Sequence, residues 1–221
     1  MKIFFNILLC CIFLNNCKAQ DSEFKTYLNN FGQSKMPLMI NDRQSSYVVF
    51  CQRPDTLLGM MPKVISEELV SKYICTNGFC NPHGGYFRYD YGVIIDFNSN
   101  YLTVLVSKLQ YEGENEWDFD LGETLLITYN EKGEILARQS LTKDNIRWQS
   151  SLKITKEGIA VRQIKVTEPK IDQYHHDLSC EFWTTTYKIT NEGMIKTVNT
   201  SSVTLGLVTW DKSIEDYKLK E

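Results

Sequence analysis

From Tyr86 onward, the chain is a succession of short aromatic and β-branched runs separated by polar turns. Three of these turns carry a glycine between two such runs, at Gly133, Gly158 and Gly193. Glycine adopts positive φ without a steric penalty, as a tight hairpin turn requires. The glycines lie 25 and then 35 residues apart, which is too irregular for a solenoid or a propeller. The pattern predicts a mainly β fold, an antiparallel meander that forms a curled sheet, a barrel-like sheet or a sandwich.

Eight strands are predicted in this part of the chain. Each is rich in residues of high β propensity and is bounded by turn residues such as Asn-Ser-Asn or Glu-Lys-Gly. The predicted strands cover residues 86–97, 101–111, 116–130, 135–141, 148–155, 159–166, 181–190 and 194–207.

Two short helices are predicted before the strands. The first has Gly32 just past its end and apolar residues at i, i+3, i+4 and i+7, namely Phe24, Tyr27, Leu28 and Phe31. The second has Ser66 as its N-cap, acidic residues in its first turn, and Cys75 with an Asn-Gly turn at its end. Its apolar face consists of Leu69, Val70, Tyr73 and Ile74.

The first residues of the chain have the form of a secretory signal. Met1 and Lys2 give a minimal positive start, and residues 3–14 are an almost unbroken apolar run. This run is too short for a helix that crosses a bilayer, which needs about 20 residues. Cys17 follows as in a lipoprotein signal, so we expect residues 1–16 to be removed as a signal peptide. Cleavage after Ala19 is the alternative.

The two cleavage sites predict different locations. Cleavage before Cys17 leaves a thiol for lipidation, which would anchor the protein to a membrane of the cell envelope, on the periplasmic side or the outer surface. Cleavage after Ala19 would release a soluble secreted protein. The chain is 43% apolar and has no linker of low complexity, so we expect residues 17–221 to form a single β-rich domain.

Three features occur together in this chain: the segment Cys17-Lys18-Ala19-Gln20, the helix from Ser66 to Cys75, and turns such as Tyr129 to Ile135. In this combination the chain resembles uncharacterised exported proteins and lipoproteins of Bacteroidota. None of the three features is a catalytic signature. The resemblance therefore implies a location in the envelope and a mainly β fold, and it implies no activity.

Cysteine usage agrees with export to an oxidising compartment. Four cysteines lie beyond the leader, and an even number suits disulfide formation. Cys75 and Cys80 flank an Asn-Gly pair, whose turn can bring the two thiols within bonding distance. Cys51 and Cys180 would then form a long-range disulfide. Three pairings are formally open, and this one is favoured.

An acidic segment from Glu112 to Glu123 is a candidate cation site. Its acids fall on every second residue, which on a strand would align them along one face. Calcium prefers oxygen ligands, and the candidate ligands are Asp118, Asp120 and Glu123. The segment lacks the full spacing of a calcium loop, so a strand with its acids in water is favoured. No cofactor is therefore expected, and calcium is the alternative.

Histidine and cysteine offer two further candidate sites. Cys75, Cys80 and His83 are zinc-type ligands, although export favours oxidation of the thiols over metal binding. In the second site, a carboxylate would orient an imidazole for general-base catalysis, and a polar loop is the favoured alternative. The second set is Asp172, His175, His176 and Asp177. The sequence has no Gly-x-Ser-x-Gly elbow, no His-Glu-x-x-His helix and no phosphate-binding loop.

Aromatic residues are candidates for a ligand platform. The predicted platform residues, Tyr86, Tyr89 and Trp117, would stack on a sugar ring or anchor a protein partner. Core filling is favoured over a platform, because Phe87, Tyr89 and Tyr91 share one side of a strand and one side is expected to pack inward. The four tryptophans are spread over the β region, at Trp117, Trp148, Trp183 and Trp210.

The formal net charge of −3 gives no electrostatic footprint for nucleic acid. We therefore expect an exported envelope protein that binds a protein or a glycan. An immunity-like role, blocking a delivered toxin, is one version. An envelope hydrolase acting on glycan or peptide is the alternative. A cleft with convergent carboxylates or histidines of shifted pKa would favour the hydrolase, whereas an open aromatic or acidic surface would favour the binding protein.

Overall fold

The protein is mainly β, with two short helices that precede a series of strands. The computed structural model describes residues 22–40, 63–75, 86–97, 100–111, 119–145, 147–168, 177–211 and 216–220. The helices are α1 (22–28) and α2 (Glu67–Tyr73). The strands are β1 (Gly32–Gln33), β2 (Leu38–Ile40), β3 (Tyr86–Ile95), β4 (Leu102–Tyr111), β5 (Phe119–Tyr129), β6 (Ile135–Ser140), β7 (Trp148–Thr155), β8 (Gly158–Val166), β9 (Leu178–Ile189), β10 (Ile195–Thr200), β11 (Thr204–Asp211) and β12 (Asp216–Leu219). Neither described helix is long and apolar enough to cross a membrane.

The strands form two sheets. The first sheet has the order β1-β3-β4-β5-β6, and β3 to β6 follow one another as antiparallel neighbours. The second sheet has the order β12-β11-β9-β8-β7-β2, with β10 also paired to β9. β7, β8 and β9 are again consecutive antiparallel neighbours. The predicted antiparallel meander with two short N-terminal helices is confirmed.

The predicted strand over residues 194–207 is divided in the structure. β10 and β11 follow one another along the same edge of β9. Between them, the backbone N–H of Ser201 donates to the carbonyl of Thr184 at 2.9 Å, so the long hairpin continues through the break. The sequence pattern did not indicate β1, β2 or β12, which are only two, three and four residues long.

Two apolar cores lie on opposite sides of the first sheet. Along β4, Val104 and Val106 face the helices and Leu105 faces the second sheet, because successive side chains alternate. The helix-side core includes Phe24, Tyr27, Phe31, Val70, Tyr73, Tyr89, Tyr91, Ile127 and Tyr129. The core between the sheets includes Val93, Ile95, Leu105, Leu126, Leu152, Ile154, Ile159, Val161 and Tyr187. The described parts therefore stack as helices, first sheet and second sheet.

Both helices dock on the first sheet through aromatic contacts. Tyr27 of α1 stacks on Tyr73 of α2, with ring centroids 4.7 Å apart. The hydroxyl of Tyr129 in β5 donates to the carbonyl of Tyr73 at 2.5 Å. Ser66 caps α2 by accepting a hydrogen bond from the backbone N–H of Leu69. The apolar faces and the N-cap predicted for these helices are confirmed.

The three glycine turns are hairpin turns, as predicted. Gly133 and Gly193 have φ of +79° and +81°, and Gly158 has φ of +154°. In the turns of Gly133 and Gly193, the glycine N–H donates to the carbonyl of the residue three positions earlier, at 3.0 Å. Glycine is favoured at these positions because other residues seldom adopt such φ values.

The cysteines differ in part from the prediction. Cys180 is a free, buried cysteine, so the predicted disulfide between Cys51 and Cys180 is wrong. It packs among Ile164, Leu178 and other residues of a third apolar cluster, and burial raises the pKa of its thiol. Cys75 is disulfide-bonded. Because Cys51 and Cys80 lie outside the described residues, the Cys75–Cys80 pairing stays a prediction.

Candidate functional site

One face of the second sheet carries an apolar core at one end and a partly exposed surface of aromatic, charged and aliphatic side chains at the other. In β7, Leu152 packs in the core between the sheets, so Ser150 and Trp148 point to the same side. The pairing of β7, β8, β9 and β11 is regular here and extends this side across the sheet. The part of this side that is not covered by the first sheet is called the tryptophan face. Its residues are Trp148, Gln163, Lys165, Glu181, Trp183, Leu205 and Leu207.

Two tryptophans lie at the centre of the tryptophan face. The rings of Trp148 and Trp183 meet edge to face, with centroids 5.7 Å apart and an interplanar angle of 90°. The indole N–H of Trp183 donates to the side-chain oxygen of Gln163 at 3.0 Å. Both tryptophans are half-buried. The ring contact and the hydrogen bond hold a large aromatic surface in a fixed orientation at the edge of solvent.

Lysine ammonium groups lie over one of these rings. The Nζ atoms of Lys143 and Lys165 are 5.3 Å and 5.6 Å from the centroid of Trp148. Lys165 is also 4.0 Å from a carboxylate oxygen of Glu181, its neighbour across the strand pair. Cations over an indole face gain from the negative potential of the ring. The tryptophan face therefore combines aromatic and cationic groups.

Leucines on β11 extend the tryptophan face with aliphatic surface. Leu205 pairs with Glu181 and is 79% exposed, and Leu207 pairs with Ser179 and is 44% exposed. Between them, Gly206 lies on the opposite side of the sheet, as strand alternation requires. Large apolar side chains this exposed on neighbouring positions of one face are a feature of interaction sites.

A row of buried polar residues lies on the first sheet, on the side that faces the second. Asp90, Ser107 and Thr124 are register neighbours across β3, β4 and β5, and all three are buried. Arg88 Nε donates to one carboxylate oxygen of Asp90 at 2.8 Å. The other oxygen, and the hydroxyl of Ser107, have no hydrogen-bond partner among the described residues. Burial raises the pKa of Asp90, and the guanidinium of Arg88 offsets part of this effect.

The predicted calcium ligands are only partly described. Glu123 accepts hydrogen bonds from Lys108 at 2.7 Å and from the hydroxyl of Ser140 at 3.0 Å, so both of its carboxylate oxygens have protein partners. Asp118 lies outside the described residues, and Asp120 is described only in its backbone, within β5. Among the side chains that the structure describes, no three acidic, histidine or cysteine residues form a group that could hold a metal ion.

The predicted ligand platform is wrong at one of its residues. Tyr89 is 5% exposed and packs in the helix-side core, because its side of β3 faces the helices. The interpretation that one side of this aromatic run packs inward is therefore confirmed. Only the backbone of Tyr86 is described, and Trp117 lies outside the described residues.

The histidine candidates are also mostly outside the described residues, as His83, Asp172, His175 and His176 all are. Asp177 is described, and it accepts a hydrogen bond from Lys220 at 2.5 Å.

Sequence reasoning missed the pairing of Trp148 with Trp183. The two strands that carry them are separated by β8, and the register of β9 cannot be read from the sequence between residues 166 and 178.

No known protein family, curated protein or solved structure matches this chain. The residues of the tryptophan face and the buried polar row are therefore the basis for inferring its function.

Proposed function

We propose that the protein is an exported cell-envelope protein that binds a partner protein on the tryptophan face. The observation that carries this proposal is the fixed pair Trp148 and Trp183 beside the exposed leucines Leu205 and Leu207. Tryptophan contributes strongly to protein interfaces because it buries a large rigid surface at a small cost in conformational entropy. Exposed leucines beside it provide the apolar area that such a contact removes from water.

A protein partner fits this surface better than a glycan does. A sugar ring binds by stacking on an open aromatic face, and lysines already lie over the ring of Trp148. A glycan would therefore have to displace a lysine before it could stack there. Leu205 and Leu207 offer aliphatic surface without polar groups, which suits a protein side chain better than a sugar hydroxyl.

Binding also fits better than hydrolysis. Asp90 is the described carboxyl group whose pKa is raised, and such a group is a candidate for acid–base catalysis. Its side chain is fully buried, however, and one of its oxygens is bonded to Arg88. A general acid must come within hydrogen-bonding reach of its substrate, and Asp90 has no access to one. We therefore interpret Asp90 as part of the core.

The location and biological role belong to the same proposal. Lipidation at Cys17 would hold the protein on a membrane of the envelope, where the tryptophan face meets other envelope proteins. An immunity-like role, in which this face covers a delivered toxin, predicts a tight complex with a single protein. A secreted soluble form with the same surface is the alternative.

The test is to replace the exposed leucines by aspartate. In the double variant Leu205→Asp/Leu207→Asp, charges replace apolar contacts at positions that are open to solvent, so the fold should remain intact. The wild type, carrying an affinity tag, should recover one partner from cross-linked envelopes of its host. The recovery should fall at least about tenfold in the double variant, as expected when apolar contacts at an interface core are lost.

Val198→Asp is the matched control. Val198 is also an exposed apolar residue, at 53%, but it lies on β10 outside the tryptophan face. This variant should recover the partner as the wild type does. Equal recovery by the leucine variant, or no specific partner for the wild type, would show that the tryptophan face is not a protein-binding site.

A further inference from the structure

The outer side of the second sheet carries an excess of positive charge at one end. The core between the sheets and the tryptophan face lie on the inner side, and the alternate side chains of each strand point outward. Toward the other end, this outer side is buried in the third apolar cluster. The cationic residues at its open end are here called the basic face. They are Lys153 of β7, Arg162 of β8, Lys188 of β9 and Lys196 of β10.

Acidic residues do not balance this charge. Within the described part of the chain, no strand position on the outer side of the second sheet is acidic. The acidic residues at the border of the basic face are Glu157 and Glu192, in the turns at one end of the sheet, where they interact electrostatically with Lys156 and Lys196. The whole chain has a formal net charge of −3, so the positive charge on this side is a local feature.

The other cations of the basic face are open to a ligand. Lys153, Arg162 and Lys188 form no ion pair with a carboxylate among the described residues. Lys153 and Lys188 are exposed, and the guanidinium of Arg162 lies 5.3 Å from the ring centroid of Phe182. Lys188 is also directly opposite Lys196, and like charges at such a cross-strand pair repel. A bound anion would offset this repulsion.

We propose that the basic face binds an acidic glycan of the cell envelope, a linear chain that carries anionic groups at intervals. Strand geometry places Lys153 about 8 Å from Arg162 and about 12 Å from Lys188, too far for one small anion to contact all three. Between these cations lie small or polar side chains, whose hydroxyl and amide groups can bond to sugar hydroxyls. They are Ser151, Ala160, Thr184, Thr186 and Asn199. The basic face is separate from the tryptophan face, so this inference goes beyond the proposed function.

An acidic protein and a nucleic acid fit this surface less well. Protein interfaces are built around aromatic or large apolar side chains, whereas the exposed Met39 lies at the edge of the sheet, opposite Lys153. Single-stranded nucleic acid stacks its bases on open aromatic rings. The aromatic residue beside the basic face is Phe182, which is half-buried and already has Arg162 over its ring.

An anionic membrane also attracts lysines, but the proposed lipid anchor would hold the basic face away from it. The helix α1 begins five residues after Cys17, so the connection reaches about 17 Å at most. Helices, first sheet and second sheet stack in this order at about 10 Å per layer, and the basic face is the outer surface of the last layer. An anchored molecule would therefore turn the basic face away from its own membrane.

The test measures binding of a labelled oligogalacturonate, a linear glycan with a carboxylate on every sugar, to the mature wild-type protein. Fluorescence anisotropy should show saturable binding at an ionic strength of about 0.05 M, and binding should weaken toward about 0.3 M because the charges are screened. In the variant Lys153→Glu/Lys188→Glu, the affinity should fall at least about tenfold. A neutral maltose oligomer of the same length should not bind.

The matched control is Lys132→Glu/Lys143→Glu, which changes the net charge by the same amount. Lys132 lies in the turn between β5 and β6, and Lys143 lies beside Trp148 on the tryptophan face. Both are exposed and lie away from the basic face, so this variant should bind the glycan as the wild type does. No glycan binding by the wild type, or equal loss in both variants, would overturn the assignment.

Three further anions test the class of ligand: an oligoglutamate, a single-stranded DNA oligonucleotide, and vesicles of phosphatidylcholine with about 30% phosphatidylglycerol. The wild type should bind the oligogalacturonate more tightly than each of them. Tighter binding of any one, if it depends on Lys153 and Lys188, would assign the basic face to a protein, a nucleic acid or a membrane and reject the glycan. The proposed function is judged separately by the leucine variant, which changes no residue of the basic face.

Discussion

At the scale of single residues, the burial of Asp90 is unfavourable because its carboxylate is only partly compensated by hydrogen bonds. Its carboxylate is removed from water, and Arg88 supplies a hydrogen bond to one oxygen only. A buried carboxylate without full compensation favours its protonated form. The raised pKa of Asp90 follows from this, and it gives the folded state a dependence on pH.

Asp90→Asn should therefore change how stability depends on pH. Since the folded state holds the Asp90 proton more tightly than the unfolded state, the contribution of Asp90 is most favourable at pH values below about 3.9, the ordinary pKa of an aspartate. It is lost as the pH rises through the raised pKa of the folded state. Asparagine does not titrate, so the variant should gain on the order of 1 kcal/mol relative to wild type between pH 4 and pH 7.

Urea unfolding at the two pH values measures this difference. Asp96→Asn is the control, because Asp96 is an exposed carboxylate at the end of the same strand. An Asp90 variant whose stability relative to wild type is the same at both pH values would contradict the assigned cause of the pKa shift.

The side of the sheet that a residue occupies could be predicted from the sequence, but its surroundings could not. Alternation correctly placed Phe87, Tyr89 and Tyr91 on one side of β3, and burial of that side made Tyr89 a core residue. Trp183 follows the same rule in β9, yet its side changes from core to surface along the strand. Where the first sheet stops covering the second is a property of packing, which no local pattern encodes.

At the scale of secondary structure elements, the glycine turns set the pairing of the strands. Each turn fixes which residues of the two strands face one another, because hairpin register follows turn geometry. Gly193 joins β9 to β10, and the hydroxyl of Thr128 in the first sheet donates to its carbonyl at 2.6 Å. This turn therefore also links the two sheets.

Gly193→Ala should destabilise the protein by about 1 to 2 kcal/mol, because alanine resists positive φ and its Cβ needs space. At this position φ is +81°, and an added Cβ would lie 2.6 Å from Leu136 Cδ1 and 3.3 Å from the ring of Tyr101. Thermal or urea unfolding measures the loss. Met194→Ala, at an exposed position of the same turn, should stay within about 0.5 kcal/mol of wild type. Equal stability of the two variants would show that the turn tolerates other residues.

Sequence patterns predicted the long strands and those turns whose signal lies within a few neighbouring residues. Turns with Gly133, Gly158 and Gly193 were predicted because glycine between polar residues is a local signal. The division of residues 194–207 into β10 and β11 was not predicted. It depends on the pairing with β9, which contacts β10 along one half of its length and β11 along the other. The short β1 and β2 form only because β3 and β7 offer them an edge.

At the scale of the whole molecule, one side of the second sheet has two environments. Near Leu152 and Val161 it packs on the first sheet, and near Trp148 and Trp183 it reaches solvent. The buried residues near Leu152 fix the strands that carry Trp148 and Trp183, so the exposed residues stand on a rigid base. Binding surfaces generally need such support. This arrangement depends on contacts between residues far apart in sequence. For that reason the sequence pointed to a different platform, at Tyr86, Tyr89 and Trp117, and did not indicate the tryptophan face.

The predicted lipid anchor would give the whole molecule its position in the cell. If Cys17 is acylated, Cys17→Ala should abolish incorporation of radiolabelled palmitate, and the protein should move from the membrane fraction to the soluble fraction. Two or more acyl chains bind a bilayer stably, whereas the protein without them has only its surface residues to hold it there. Cys180→Ala is the control, because Cys180 is buried in the folded protein and should leave labelling unchanged. Palmitate incorporation that persists in the Cys17 variant, or wild-type protein that takes up no label, would reject the lipid anchor and favour release after cleavage at Ala19.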